Sequence, residues 1–142
     1  MASYNVVEAN KDFLLSIITN WVDIVFANED EAKALTGLDP EDALTGLSKL
    51  VNIAVVKTGS SGSLVKSGID QYKIGVIDVN PIDTTGAGDL YASGFLFGLA
   101  NGLPLKECGE LGALLAGNVI EFMGSKMTEE RWELIRAKLK HI

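Results

Sequence analysis

The chain runs to 142 residues, 47% hydrophobic and 22% charged, which is enough to bury a sizeable core in one domain and too apolar for a disordered tail. A net charge of −7 offers no basic patch to displace counterions from phosphates and so argues against a nucleic-acid partner. Apolar runs stop far short of a membrane span, while one cysteine, Cys108, and one histidine, His141, exclude an intrachain disulfide framework and a zinc site of soft ligands.

Met1 to Asn10 carries neither a basic start nor an apolar segment, so no signal peptide is expected, and a lone cysteine suits a reducing cytoplasm. Phe13, Leu14, Ile17 and Ile18 recur at helical spacing and predict a helix from about Val7 to Asn20. Val22 to Ala27 reads as a short strand, after which Asn28 begins an acidic helix, Glu29 to Leu35, stopped at Gly37. Asp39-Pro40 restarts a helix to about Leu50. Ile53 to Lys57 is a buried-looking strand, Gly59 to Gly62 a turn, and Ser63–Lys66 and Gln71–Ile74 flank a hairpin turn at Ser67-Gly68-Ile69-Asp70.

Val76 to Val79 is one more extended piece, ending at Pro81, and the rest is helical. Helices are predicted from Ala87 to Ala100, from Leu105 to Phe122, and from Thr128 onward, where Thr128 caps weakly. Trp21, Trp132, Phe95, Phe97 and Phe122 fall at core spacings, and Cys108 reads as a small helix residue. Alternating strands and helices predict an α/β sheet flanked by helices. Only two convincing buried strands accompany the hairpin, so the sheet is expected to be part of a domain, with an open edge where further strands would pair.

Chemistry concentrates at Asp83-Thr84-Thr85-Gly86-Ala87-Gly88-Asp89, which follows an extended piece and opens a long apolar helix. A glycine turn at a helix start aims N–H groups outward at the positive end of the dipole, where an anion docks. Asp89 inside that turn would repel the anion unless it removes a proton from a group about to attack a phosphate, so cradle and base together suggest phosphoryl transfer. A dinucleotide fingerprint fails because its third glycine would fall on Tyr91, and no P-loop occurs anywhere in the chain.

Three further constellations have a bland reading beside a functional one. Asn28 and Glu31 share a helix face at a strand's C-terminal end and could hold a hydrated Mg²⁺, or simply cap the helix. Lys57-Thr58-Gly59-Ser60-Ser61-Gly62 could bring amides and a hydroxyl to a nucleotide, or be an ordinary hairpin turn. Ala116-Gly117-Asn118 places a glycine mid-helix, which costs about 1 kcal/mol and implies close approach by a ligand or another helix.

In this order the segments resemble the C-terminal half of the PfkB carbohydrate kinase family, the ribokinase-like group of ribokinase, fructokinases and adenosine kinases. Asp83 to Phe95 is similar to the family's second signature, Asn28 to Glu31 to its Asn-x-x-Glu motif, and Lys57 to Gly62 to its Lys-x-Gly-x-x-Gly. The resemblance implies a three-layer, Rossmann-like α/β sheet flanked by helices. Residues 1–142 would form one partial domain, the nucleotide-binding half, with the N-terminal substrate and lid half absent and Met1 an internal methionine.

It implies ATP-dependent transfer to a hydroxymethyl group of a sugar or nucleoside, in the cytoplasm. Asp89 would be the base and the amides of Gly86, Ala87 and Gly88 the anion hole. Asn28 and Glu31 would organise Mg²⁺; Lys57, Thr58, Gly59 and Gly62 would line the ATP phosphates and ribose; Asn118 would close the adenine pocket. Asp83 and Thr85 resemble positions that help hold a monovalent cation such as K⁺. With most of the acceptor's pocket missing, little kinase activity is expected of this chain alone. The alternative is a non-catalytic nucleotide-binding or self-associating piece that pairs with a second copy, or with the missing half, through its sheet edge.

Overall fold

The computed structural model describes residues 4–139; Met1 and His141, invoked above, lie outside them. The chain divides into two compact units, before and after the junction of Gly75 and Val76. The first is mixed α/β, with helices α1 (Tyr4–Ala9), α2 (Lys11–Trp21), α3 (Glu29–Thr36) and α4 (Pro40–Leu47) and strands β1 (Ile24–Asn28), β2 (Ile53–Lys57), β3 (Ser63–Ser67) and β4 (Asp70–Ile74). The strands form one sheet in sequence order: β1 and β2 are parallel, and β2, β3 and β4 run as an antiparallel meander.

The parallel register sets Ile24 against Ile53 and Asn28 against Lys57. Strand alternation sends Val25, Ala27, Ala54, Val56 and Leu64 into a core shared with Val7, Ile18, Ala32, Leu35, Ala43, Leu44 and Leu47 from the helices. Burying these aliphatic side chains is what holds helices and sheet together, at about 1.5–3 kcal/mol for each large one.

The helix expected from Val7 to Asn20 is instead two. Asn10 leaves helical geometry at φ −125° and ψ 25°, and its Nδ2 donates to the Val6 carbonyl at 2.9 Å, the local competition that makes asparagine a helix interrupter. The first strand begins two residues later than expected and ends on Asn28. Helix α4 stops at Leu47, where tighter bonds such as Leu50 N–H to the Leu47 carbonyl wind the chain into a turn. Between β3 and β4 the hairpin closes over Gly68-Ile69, with only the glycine at positive φ, the pattern of a type II′ turn.

The second unit holds α5 (Ala87–Ala100), α6 (Leu105–Val119) and α7 (Glu129–Leu139). The extended piece at 76–79 pairs with no strand among the described residues. Helices α5 and α6 meet backbone to backbone. A Cβ on Gly94 would lie 2.6 Å from the Leu111 carbonyl oxygen, and one on Gly112 would lie 2.8 Å from that of Tyr91. Phe95 and Cys108 are buried in this unit, whereas Phe97, two residues round the helix from Phe95, is exposed. Trp21, at the last position of α2, is 84% exposed and contributes nothing to the core expected of it. No helix of the described residues is long and apolar enough to cross a membrane.

Candidate active site

In the first unit, two of the singled-out motifs arrive together at the carboxyl ends of parallel strands, where open α/β sheets gather ligands. Asn28 ends β1 and Lys57 ends β2, and the register makes them neighbours. Asn28 Oδ1 accepts from the Glu31 N–H at 2.8 Å, and Glu31 Oε2 accepts from the Asn28 N–H at 2.9 Å, a complete capping box. Capping is therefore realised, and it fixes both side chains at the sheet edge, with Glu31 buried. As magnesium ligands the pair is limited: both are hard oxygen donors, yet each named oxygen already accepts one N–H, and no group of three acidic, histidine or cysteine side chains able to hold a metal occurs among the described residues. Such a donor set suits a cation that keeps its waters and takes its remaining ligands from a nucleotide.

The loop after β2 is self-contained. Thr58 gives both its N–H (2.8 Å) and its hydroxyl (3.1 Å) to the Gly62 carbonyl, closing a short 3₁₀ turn over 59–61. Gly62 has φ 93°, and a Cβ there would fall 1.9 Å from the Ile74 carbonyl oxygen, so the end of β4 packs where only glycine fits. Thr58, Gly62 and the Gly59 carbonyl, which accepts from the Gly62 N–H at 3.1 Å, thus build the loop, while the Lys57 side chain and the Gly59 amide have no partner among the described residues. Beside Thr58 and Ser61 lies a depression of about 430 Å³ walled by Glu29, Asp39, Glu41 and Asp42, with Lys73 across it. Four carboxylates make that depression itself hostile to phosphate.

In the second unit the turn at 83–89 is tied down at its start and open at its end. Asp83 Oδ1 accepts from the Thr85 hydroxyl (2.7 Å) and the Thr85 N–H (2.9 Å), and Oδ2 accepts from the Gly124 N–H at 2.8 Å. These donors, the Thr85 hydroxyl foremost, hold the Asp83 carboxyl below the usual carboxylate range. Gly86 sits at φ 80°, and a Cβ on it would come 2.7 Å from Cβ of Ser125. It is the N-cap of α5 and has no side chain to satisfy the first-turn amides.

Of the three amides expected to form an anion hole, that of Ala87 is taken, donating to the Thr84 carbonyl at 3.2 Å. Those of Gly86 and Gly88 have no acceptor among the described residues, and the Asp89 amide joins them. Asp89 occupies the third position of the helix with its side chain exposed and no hydrogen bond to its carboxylate among the described residues. Three open N–H groups and a free carboxylate therefore share one helix start.

Asn118 is spoken for. Its Nδ2 donates to the Leu114 carbonyl (2.7 Å) and its Oδ1 accepts from Arg131 Nη1 (2.8 Å), which also donates to Glu121 Oε2 at 2.6 Å. Arg131 lies 5.2 Å over the Phe122 ring and, as the first cause, depresses the Glu121 pKa. Gly117 makes room for Ile77, whose Cγ1 would be 2.3 Å from an added Cβ, so the close approach expected there is made by the extended segment and not by a helix. Sequence reasoning missed Gly124, Ser125 and Arg131, none of which carries a motif of its own.

With this geometry in view, comparison with known proteins is decisive on kinship. The family model for pfkB family carbohydrate kinases matches residues 4–131. The chain belongs to that family. Ribokinase from Lactococcus lactis subsp. lactis is 33% identical over 140 residues, 98% of this chain and 45% of that protein. Adenosine kinase from Sinorhizobium meliloti superposes with a TM-score of 0.89 at 37% identity, over 97% of this chain and 43% of that one. Arabidopsis thaliana ribokinase, solved with ribose and ATP, gives 0.74 at 27% identity, over 86% of this chain and 43% of that one. The chain spans less than half the length of the curated relatives it matches.

Proposed function

We propose that this chain is the phosphoryl-transfer portion of an ATP-dependent sugar or nucleoside kinase, with most acceptor-gripping residues lying outside these 142. One observation carries the reading: the open amides of Gly86, Gly88 and Asp89 stand beside the free Asp89 carboxylate in a chain of this family. As the acceptor hydroxyl attacks the γ-phosphorus, Asp89 takes its proton. The open amides and the dipole of α5 stabilise the charge that spreads over the transferring group's oxygens.

Lys57 and the amide of Gly59 would line the ATP phosphates and ribose, with Thr58 and Gly62 shaping the loop. Asn28 and Glu31 would hold waters of a Mg²⁺ ion, which neutralises charge on the β- and γ-phosphates when bound. Asp83 and Thr85 fix the turn, and Asp83 Oδ2, which accepts only the Gly124 N–H, keeps a lone pair with which it would help hold a monovalent cation such as K⁺. Asn118, paired with Arg131, is likewise structural in this reading.

Amide resonances test it. ATP with Mg²⁺ should shift Gly86, Gly88 and Asp89, and a spectrum unmoved there at millimolar nucleotide overturns the reading. In a full-length protein that carries the acceptor half as well, Asp89→Asn should bind ATP like wild type while transfer to ribose, fructose or adenosine falls about 10²-fold or more, the usual loss for a general base.

A further inference from the structure

The turn at 83–89 is not held by its own residues alone. The Ile120 carbonyl accepts from the N–H groups of Ile82 (2.7 Å) and Asp83 (3.1 Å), Gly124 N–H reaches Asp83 Oδ2, and Ser125 packs on Gly86. Glu121 adds a fourth tie by accepting from Asn80 N–H at 3.3 Å. Segment 120–125 is therefore the mould in which the turn is cast. That segment has no regular structure of its own, so something must hold it.

Arg131, in the first turn of α7, is placed to do so. One nitrogen, Nη1, spans Asn118 at the end of α6 and Glu121 in the segment, while the guanidinium carbon lies over Phe122, also in the segment. Both Arg131 and Glu121 are mostly shielded, at 29% and 22% side-chain exposure, so this pair is screened less than a surface one. A planar guanidinium meets an amide oxygen, a carboxylate and a ring face together, which an ammonium cannot.

Resting on the phosphoryl-transfer reading above, we propose that Arg131 is a positioning residue for the anion-binding turn: it never touches nucleotide, but it orders segment 120–125, which sets the direction of the Gly86, Gly88 and Asp89 amides. Preorganised donors stabilise developing charge because they need no reorientation during transfer, so loosening the mould weakens the cradle without removing any donor.

Hydrogen exchange on the 142-residue chain tests this, since it follows single amides and needs no turnover. In Arg131→Ala, the amides of Ile82, Asp83 and Gly124 should exchange at least about tenfold faster, while Ala54, Val55 and Val56 keep their wild-type rates. Arg131→Lys should restore part of the protection through Glu121 alone. A role confined to seating α7 would instead speed exchange along that helix and spare the three amides. ATP with Mg²⁺, titrated in parallel, should bind Arg131→Ala several-fold more weakly.

Unchanged protection at Ile82, Asp83 and Gly124 overturns the proposal whatever the nucleotide does. Lost protection with undiminished ATP affinity overturns it too, because the turn's order then has no bearing on the cradle. Lost protection in a chain whose wild type binds no ATP sinks the phosphoryl-transfer reading and leaves Arg131 as the organiser of the turn.

Discussion

Gly94→Ala probes the contact that fixes α5 and, with it, the turn at its N-terminus. In an exposed helix this change stabilises by about 1 kcal/mol. Here the new Cβ would sit 2.6 Å from the Leu111 carbonyl oxygen and 2.9 Å from its carbon, where ordinary contact begins at 3.4 Å. The obstacle is backbone, which cannot rotate aside, so the two helices must part by roughly 0.8 Å. A gap of that order forfeits a quarter to a half of the dispersion at each contact it opens. The seam holds Tyr91 and Phe95 from one side and Cys108, Leu111 and Leu115 from the other, all buried.

Overpacking costs about 1–3 kcal/mol, and a backbone obstacle puts this case at the upper end. Set against the propensity gain, the net loss is about 1–2 kcal/mol. Urea unfolding should show a lower midpoint with an unchanged slope. Gly98→Ala is the contrast: its Cβ would meet Leu111 Cδ1 at 3.1 Å and Cys108 Cα at 3.2 Å, and the leucine end can yield, so its net effect should lie near zero. Gly112→Ala should destabilise like Gly94→Ala, and the double variant by less than the sum, because one parting of the helices makes room for both methyls. A Gly94→Ala protein as stable as wild type, or more so, refutes the close approach.

Asn28→Ala removes the acceptor for the Glu31 amide and should cost about 1 kcal/mol in urea unfolding, whereas Asn28→Asp keeps an N-cap oxygen and should cost little; equal losses in both would argue against the cap. Asp83 carries a pH signature. Its folded pKa lies below its unfolded one, so its stabilising effect is full above the ordinary carboxylate range, near pH 4, and is lost as pH falls through the folded value. Asp83→Asn should therefore lower the thermal midpoint at pH 7 and make its decline toward pH 3 shallower; an acid limb parallel to wild type would show that the Thr85 and Gly124 donors do not depress this carboxyl.

What the sequence made legible was set by neighbours along the chain. Asn28 directly precedes an acidic helix, so its N-cap role could be read from its neighbours, whereas the reciprocal bond from Glu31 came only with the structure; strand-forming runs placed β2 and the hairpin within a residue. Asn10 was misread for the same local reason in reverse: the apolar spacing around it is helical, but its side chain bonds the Val6 carbonyl and breaks the helix in two. Gly124, Ser125 and Arg131 could not be read at all. They act on residues that packing alone brings within reach: Gly124 bonds Asp83 across 41 positions, and Arg131 bonds Asn118 across 13.

The glycine-rich motif shows most plainly where local reading stops. From sequence, Gly86, Ala87 and Gly88 look equivalent, three small residues offering three amides. In the structure, Gly86 is glycine because φ 80° and Ser125 leave no room for a Cβ, so its residue type records packing. Ala87 spends its amide on Thr84, so its donor belongs to the turn itself. Gly88 is already helical, and its N–H has no acceptor among the described residues. A ligand would favour glycine at this position, since only glycine lets an anion close on the amide unobstructed. A Gly88→Ala chain should accordingly bind ATP less tightly, while helix propensity favours the alanine by up to about 1 kcal/mol. Loss of stability with intact nucleotide binding would move Gly88 from the cradle to the scaffold.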